Sequence, residues 1–67
     1  MISIIINGMA RDFEHSLSVN ELIQKMSLGG KRIALERNGE IVPRSLFPQQ
    51  LLLDGDRLEI VVAVGGG

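Results

Sequence analysis

The sequence contains no cysteine, no tryptophan and no tyrosine, and its only aromatic side chains are Phe13 and Phe47. Without thiols there is neither a disulfide framework nor a thiolate metal site. A small domain without disulfides fits a cytoplasmic setting, and that is the expected location. Two phenylalanines cannot supply the aromatic platform on which unpaired bases stack. Neither sign of charge dominates either. Seven basic and eight acidic side chains leave a formal charge of −1, too little to hold a phosphate backbone, so no nucleic acid partner is expected. Long apolar runs are missing as well. The longest are Ile4-Ile5-Ile6, Leu51-Leu52-Leu53 and Ile60 to Val64, against the roughly 20 residues that a spanning helix requires. No basic segment followed by an apolar stretch opens the sequence, so neither a signal peptide nor a membrane partner is expected.

What is present suffices for one domain. Of 67 residues, 45% are apolar and 22% charged, enough to build a core and too few charges for a disordered chain. Ile2 to Asn7 is β-branched and predicts a strand with Ile2, Ile4 and Ile6 on one face. Asn7-Gly8 predicts a tight hairpin turn, and Ala10 to His15 a weaker returning strand with Phe13 inward. Ser18 opens the clearest helix. Ser18 and Glu21 have capping-box spacing, and Leu17 and Leu22 have that of a hydrophobic staple. Val19, Leu22, Ile23 and Met26 then form one apolar stripe, and Gly29-Gly30 is the expected helix end. Ile33 to Arg37, Glu40 to Val42 and Arg57 to Val64 predict three more strands, with Asn38-Gly39 and Asp54-Gly55-Asp56 as turns. Pro43 confines the Glu40 strand to an edge. Ser45 to Leu53 reads as irregular, with one helical turn near Ser45-Leu46-Phe47.

One helix with one apolar stripe covers one face of a small sheet, which predicts a two-layer α+β domain. The first and last strands are the most apolar and are expected at the centre. The Phe13 strand and the strand ended by Pro43 are expected at the edges. Arg37 falls on the core-facing side by alternation. It is expected at the sheet margin with its stem packed and its head in water.

Catalytic constellations are scarce. His15 is the only imidazole, and its neighbour Ser16 points to the opposite side of a strand, so no nucleophile–base pair forms. The acidic residues are scattered singly, and no metal site is expected. Gly30-Lys31 imitates the end of a phosphate loop, but Arg32 stands where a hydroxyl residue is needed. Asp54-Gly55-Asp56 imitates a calcium loop, but Leu58 and Glu59 break the ligand spacing. The body is thus expected to carry no reaction and the protein to be no enzyme.

The tail is different. At a usage of about 7% per position, Gly65-Gly66-Gly67 is roughly a few-in-ten-thousand coincidence. A run without Cβ atoms suits a segment threaded through a channel that a side chain would block. The C-terminal carboxylate is anionic at neutral pH and a poor electrophile. Activation as a mixed anhydride with AMP would make it reactive, and the nucleotide site for that must belong to a partner. In the strand before the tail, Arg57 and Glu59 mark the solvent face by alternation, and Val61 and Ala63 share it. Exposed apolar residues there predict a docking surface, to which Arg44 is added.

The whole chain resembles the ThiS sulfur-carrier family of thiamine biosynthesis, related to MoaD. The resemblance rests on Asn7-Gly8 after the isoleucine-rich strand, Ser18 to Leu22, Asn38-Gly39-Glu40-Ile41-Val42-Pro43-Arg44, Asp54-Gly55-Asp56 and Val64-Gly65-Gly66-Gly67. It implies the ubiquitin-like β-grasp fold: a mixed sheet of four to five strands on one main helix over residues 1–64, with a flexible glycine tail over 65–67. It further implies a carrier that acts as co-substrate of partner enzymes. A ThiF-type, E1-like enzyme using ATP and Mg²⁺ adenylates Gly67, a persulfide donor turns the adduct into a thiocarboxylate, and the thiazole synthase ThiG accepts the sulfur. Gly65 and Gly66 allow the threading, and the chain itself binds no cofactor. The alternatives are a carrier for molybdopterin or cysteine synthesis, a ubiquitin-like modifier, and an inert binding module.

Overall fold

Alternating isoleucines make Ile2–Ile6 the first strand, β1, with Ile4 and Ile6 buried. The computed structural model describes residues 1–63. Val64 and the tail Gly65 to Gly67, expected as the last core position and a flexible extension, lie outside the described residues. Asn7 and Gly8 both take positive φ (49° and 84°), the mirror-image turn whose twist suits a hairpin. The returning strand β2, Met9–Phe13, pairs antiparallel with β1, with Ile6 opposite Met9 and Ile2 opposite Phe13. It starts one residue earlier and stops two residues sooner than the sequence suggests.

A two-residue strand β3, Leu17–Ser18, leads into helix α1, Val19–Lys25. The capping box forms in full: Ser18 Oγ accepts from Glu21 N at 3.1 Å, and Glu21 Oε1 accepts from Ser18 N at 2.9 Å. The other free amides of the first turn find carbonyls in the irregular segment. Val19 N donates to Gln50 O at 2.9 Å and Asn20 N to Phe47 O at 3.0 Å. The helix does not run to Gly29-Gly30. It stops at Met26, because Ser27 takes the left-handed conformation at φ 59°. Ser27 N then donates to Gln24 O and Leu28 N to Ile23 O, a Schellman closure. Gly30, at φ 82°, serves a separate turn into the next strand.

That strand is β4, Ile33–Arg37, followed through Asn38-Gly39 by β5, Glu40–Ile41. A 3-10 turn over Arg44–Leu46 falls where one helical turn is expected. The stretch after it is not wholly irregular: Leu51–Leu52 forms β6, antiparallel to β3 as a second, two-stranded sheet. The last described strand, β7, is Arg57–Val62. The main sheet has the order β2-β1-β7-β4-β5, with β1 and β7 parallel and the other pairs antiparallel. β1 and β7 are thus internal and β2 and β5 are edges, as their compositions predict. Ile4, Ile6, Leu35, Leu58 and Ile60 from the sheet meet Val19, Leu22 and Ile23 from the helix in one core. No helix among the described residues is long and apolar enough to cross a membrane.

Candidate functional site

Pairing register decides which side chains share the outer face of the sheet. Ala34 stands opposite Val61, Glu36 opposite Glu59, and Ile41 opposite Glu36. Leu58 and Ile60 point to the core, so Val61 and Ala63 point out. Val61 is 63% exposed and Ile41 64%, while Ala34 and Ala63 are exposed beside them. The expected docking residues Val61 and Ala63 are therefore on one surface at the C-terminal end of the central strand. Ala34 and Ile41 enlarge it, and only the cross-strand register reveals them. Arg44 begins the 3-10 turn and is exposed, with Nη2 donating to Lys31 O at 3.2 Å. Lys31 adjoins Arg32, whose carbonyl accepts from Ala63 N at 2.9 Å. Arg44 thus lies near the strand exit by way of the Lys31-Arg32 segment.

The strand that presents this surface is held by side chains from both hairpin turns. Having left β1, Asn7 turns its amide onto β7: Oδ1 accepts from Ile60 N at 2.7 Å and Nδ2 donates to Ile60 O at 3.1 Å. At the other end Asn38 Oδ1 accepts from Arg57 N at 2.9 Å. Asn38 Nδ2 also donates to Asp56 Oδ1 at 3.1 Å. Asp56 is 6% exposed, and its Oδ2 accepts from Arg37 Nε at 2.8 Å and from Leu53 N at 2.8 Å. The Arg37 head is therefore engaged in an ion pair at the end of the sheet, not free in water. Core-side alternation places it there, and the buried carboxylate makes the position tolerable. Burial alone would raise the Asp56 pKa, but the bonds from Arg37, Leu53 N–H and Asn38 outweigh it and hold the carboxyl below its ordinary value.

Ser16 Oγ donates to Leu52 O at 2.7 Å, so its hydroxyl is used in the fold beside an exposed His15. No group of three or more His, Asp or Glu residues is placed to hold a metal ion among the described residues. A cleft of about 580 Å³ beside Phe13, His15 and Lys25 is open and charged with both signs.

A model of the ThiS family matches residues 4–67. The chain belongs to the ThiS family. The crystal structure of the thiamine biosynthesis protein ThiS from Geobacter metallireducens superposes with a TM-score of 0.83 at 29% identity, covering 98% of this chain and 100% of that one. The ubiquitin-like β-grasp architecture implied by the resemblance is therefore the observed one. The sulfur carrier protein ThiS of Escherichia coli is 29% identical over 98% of this chain and 100% of its own length. A thiazole synthase from Paramagnetospirillum magneticum is 42% identical over 98% of this chain, which spans only 20% of that protein.

Proposed function

We propose that this ThiS-family chain is a sulfur carrier for thiazole formation in thiamine biosynthesis and acts as a co-substrate of its partner enzymes. Its working group is the Gly67 carboxylate. A ThiF-type, E1-like enzyme with ATP and Mg²⁺ joins that carboxylate to AMP and releases pyrophosphate. The terminal sulfur of a cysteine persulfide attacks the acyl carbon, and AMP departs with the bonding electrons. A second thiol then opens the acyl disulfide, is itself oxidised to a disulfide, and leaves the thiocarboxylate on Gly67. ThiG, the thiazole synthase, takes the sulfur from there. Gly65 and Gly66 carry no Cβ, so the tail fits a narrow channel in either enzyme.

The family match running through Gly67 carries this reading. The exposed strip of Val61 and Ala63 leading toward the tail supports it, since a carrier needs a surface by which its partners hold it. Thiazole synthase as the acceptor is supported by the 42% identical segment inside a protein of that name. Covalent attachment of carrier to acceptor raises their effective concentration. Intact-mass measurement after incubation with activating enzyme, ATP and a persulfide source tests the reading. Replacement of one oxygen by sulfur at Gly67 is expected. Conjugate ladders would instead indicate a modifier, and an unchanged mass with a competent enzyme would indicate an inert module. Amidation of the last carboxyl abolishes sulfur loading, and loading that survives it overturns the proposal.

A further inference from the structure

We propose that Lys31, Arg32 and Arg44 form a cationic collar at the exit of β7, which docks on an acidic rim around the channel by which the activating enzyme admits the tail. This rests on the carrier reading above and adds the chemistry of the partner surface. Arg32 lies beside the last described residue of the chain, its carbonyl accepting from Ala63 N at 2.9 Å. Lys31 precedes it, and Arg44 Nη2 donates to the Lys31 carbonyl at 3.2 Å across 13 residues of sequence. That bond holds a long side chain at the collar and reduces the entropy lost when a partner binds it.

All three side chains are exposed. The ion pair among the described residues is Arg37 with Asp56, elsewhere in the sheet, and no described carboxylate pairs with the collar. Three of the seven Lys and Arg residues are thus gathered without a counter-ion among the described residues, in a chain of net charge −1. Such clustering costs self-repulsion and is relieved by a partner of opposite sign. Further along the same face, Glu36 stands directly opposite Glu59, a like-charge pair that weakens a sheet. Four residues of strand, about 13 Å, separate that pair from the Arg32–Ala63 row. Exposed Ala34 and Val61 lie between. Along this face Arg32 stands at the tail exit, Ala34 and Val61 in the middle, and the Glu36–Glu59 pair beyond them with Arg57 after it. The carboxylates on the same face make a nucleic acid a poor occupant. Gly67 is four residues beyond Ala63, so the carboxylate reaches at most about 14 Å past the strand while the collar stays at the channel mouth.

The test uses the full 67-residue chain, labelled for fluorescence anisotropy, with the purified activating enzyme. The variant Lys31→Gln/Arg32→Gln/Arg44→Gln is expected to bind at least about tenfold more weakly at low ionic strength, with kcat for thiocarboxylate formation within about twofold of the unaltered chain. The unaltered chain loses affinity as salt rises, and the variant loses less. Arg32→Gln alone, which deletes no described hydrogen bond of its side chain, shifts affinity in the same direction and guards against misfolding of the triple variant. Arg11→Gln/Lys25→Gln, two cations outside the collar, leaves affinity unchanged. Equal binding by the triple variant, or an equal loss in the Arg11/Lys25 variant, overturns the collar. Collar-dependent binding to a DNA duplex in place of the enzyme overturns it also. Binding without any thiocarboxylate overturns the carrier reading alone, whereas no binding by the unaltered chain overturns both.

Discussion

Asp56 receives two bonds from Arg37, one from Asn38 and one from the Leu53 amide, all on a carboxylate almost removed from water. Truncating it strands the Arg37 charge and two other donors. Asp56→Ala is expected to lower stability by about 3 kcal/mol, the low end for a broken buried pair because Arg37 keeps some access to water. Denaturant midpoints of the two proteins check this. The depressed carboxyl also sets a direction with pH. Its folded-state pKa lies below the unfolded value of about 3.9, so its contribution is present above that value and is lost as pH falls through the folded one. Glu21 acts in the same direction, since the Ser18 backbone amide and then its hydroxyl hold it down. The gap in midpoint between the unaltered chain and Asp56→Asn should therefore narrow below about pH 4. A gap that widens in acid would contradict the assignment. Ser27 offers the opposite case. A left-handed residue with a Cβ costs about 1–2 kcal/mol, whereas glycine loses about 0.5–1 kcal/mol of extra chain entropy. Ser27→Gly is accordingly expected to stabilise by about 0.5–1 kcal/mol, visible as a rise in Tm.

Among the elements, β7 depends on groups that are not strand backbone. Its parallel ladder with β1 is two residue pairs long, Ile5 with Arg57 and Ile6 with Leu58, after which the Asn7 amide takes over the pairing at Ile60. Asn7→Ala removes a donor and an acceptor together while keeping Gly8 in the turn. A loss of about 2 kcal/mol is expected, with faster hydrogen exchange at the Ile60 amide than at amides of β2. This is also where sequence reading stops. Asn7-Gly8 is legible as a turn, because dihedral preference is local. That its side chain would meet a residue 53 positions later is a tertiary fact with no local signal. The helix start at Ser18 was legible for the same reason that its end was not. The capping box is written in two residues, while Ser27 won over Gly29 through the fit of Leu28 and Ile23 to the core. β6 leaves no local signal, because a two-residue strand has no period and its register comes from Leu17 across the chain.

At the level of the whole molecule, alternation along Arg57 to Ala63 made Val61 and Ala63 legible as surface, since period two needs no partner. Ala34 and Ile41 complete that surface only through their register with β7 and β4, which the sequence does not encode locally. Val61→Lys replaces an exposed side chain, so stability is expected to stay within about 0.5 kcal/mol. The KM for the chain in thiocarboxylate formation should rise while kcat holds, and steady-state kinetics at several carrier concentrations distinguish the two. A matched fall in kcat would place Val61 in the chemistry instead of the grip.

A strand at the middle of the sheet, Arg57–Val62, is the last of the described strands in chain order. Until Arg57 to Val62 has left the ribosome, β1 and β4 have no common neighbour, and Leu58 and Ile60 are missing from the interior. A prematurely terminated product lacking them cannot assemble the grip surface, because Val61 and Ala63 belong to the same stretch. Under the carrier reading, a partner that grips this surface would bind only chains whose synthesis has passed that strand, a proofreading step that needs no dedicated factor.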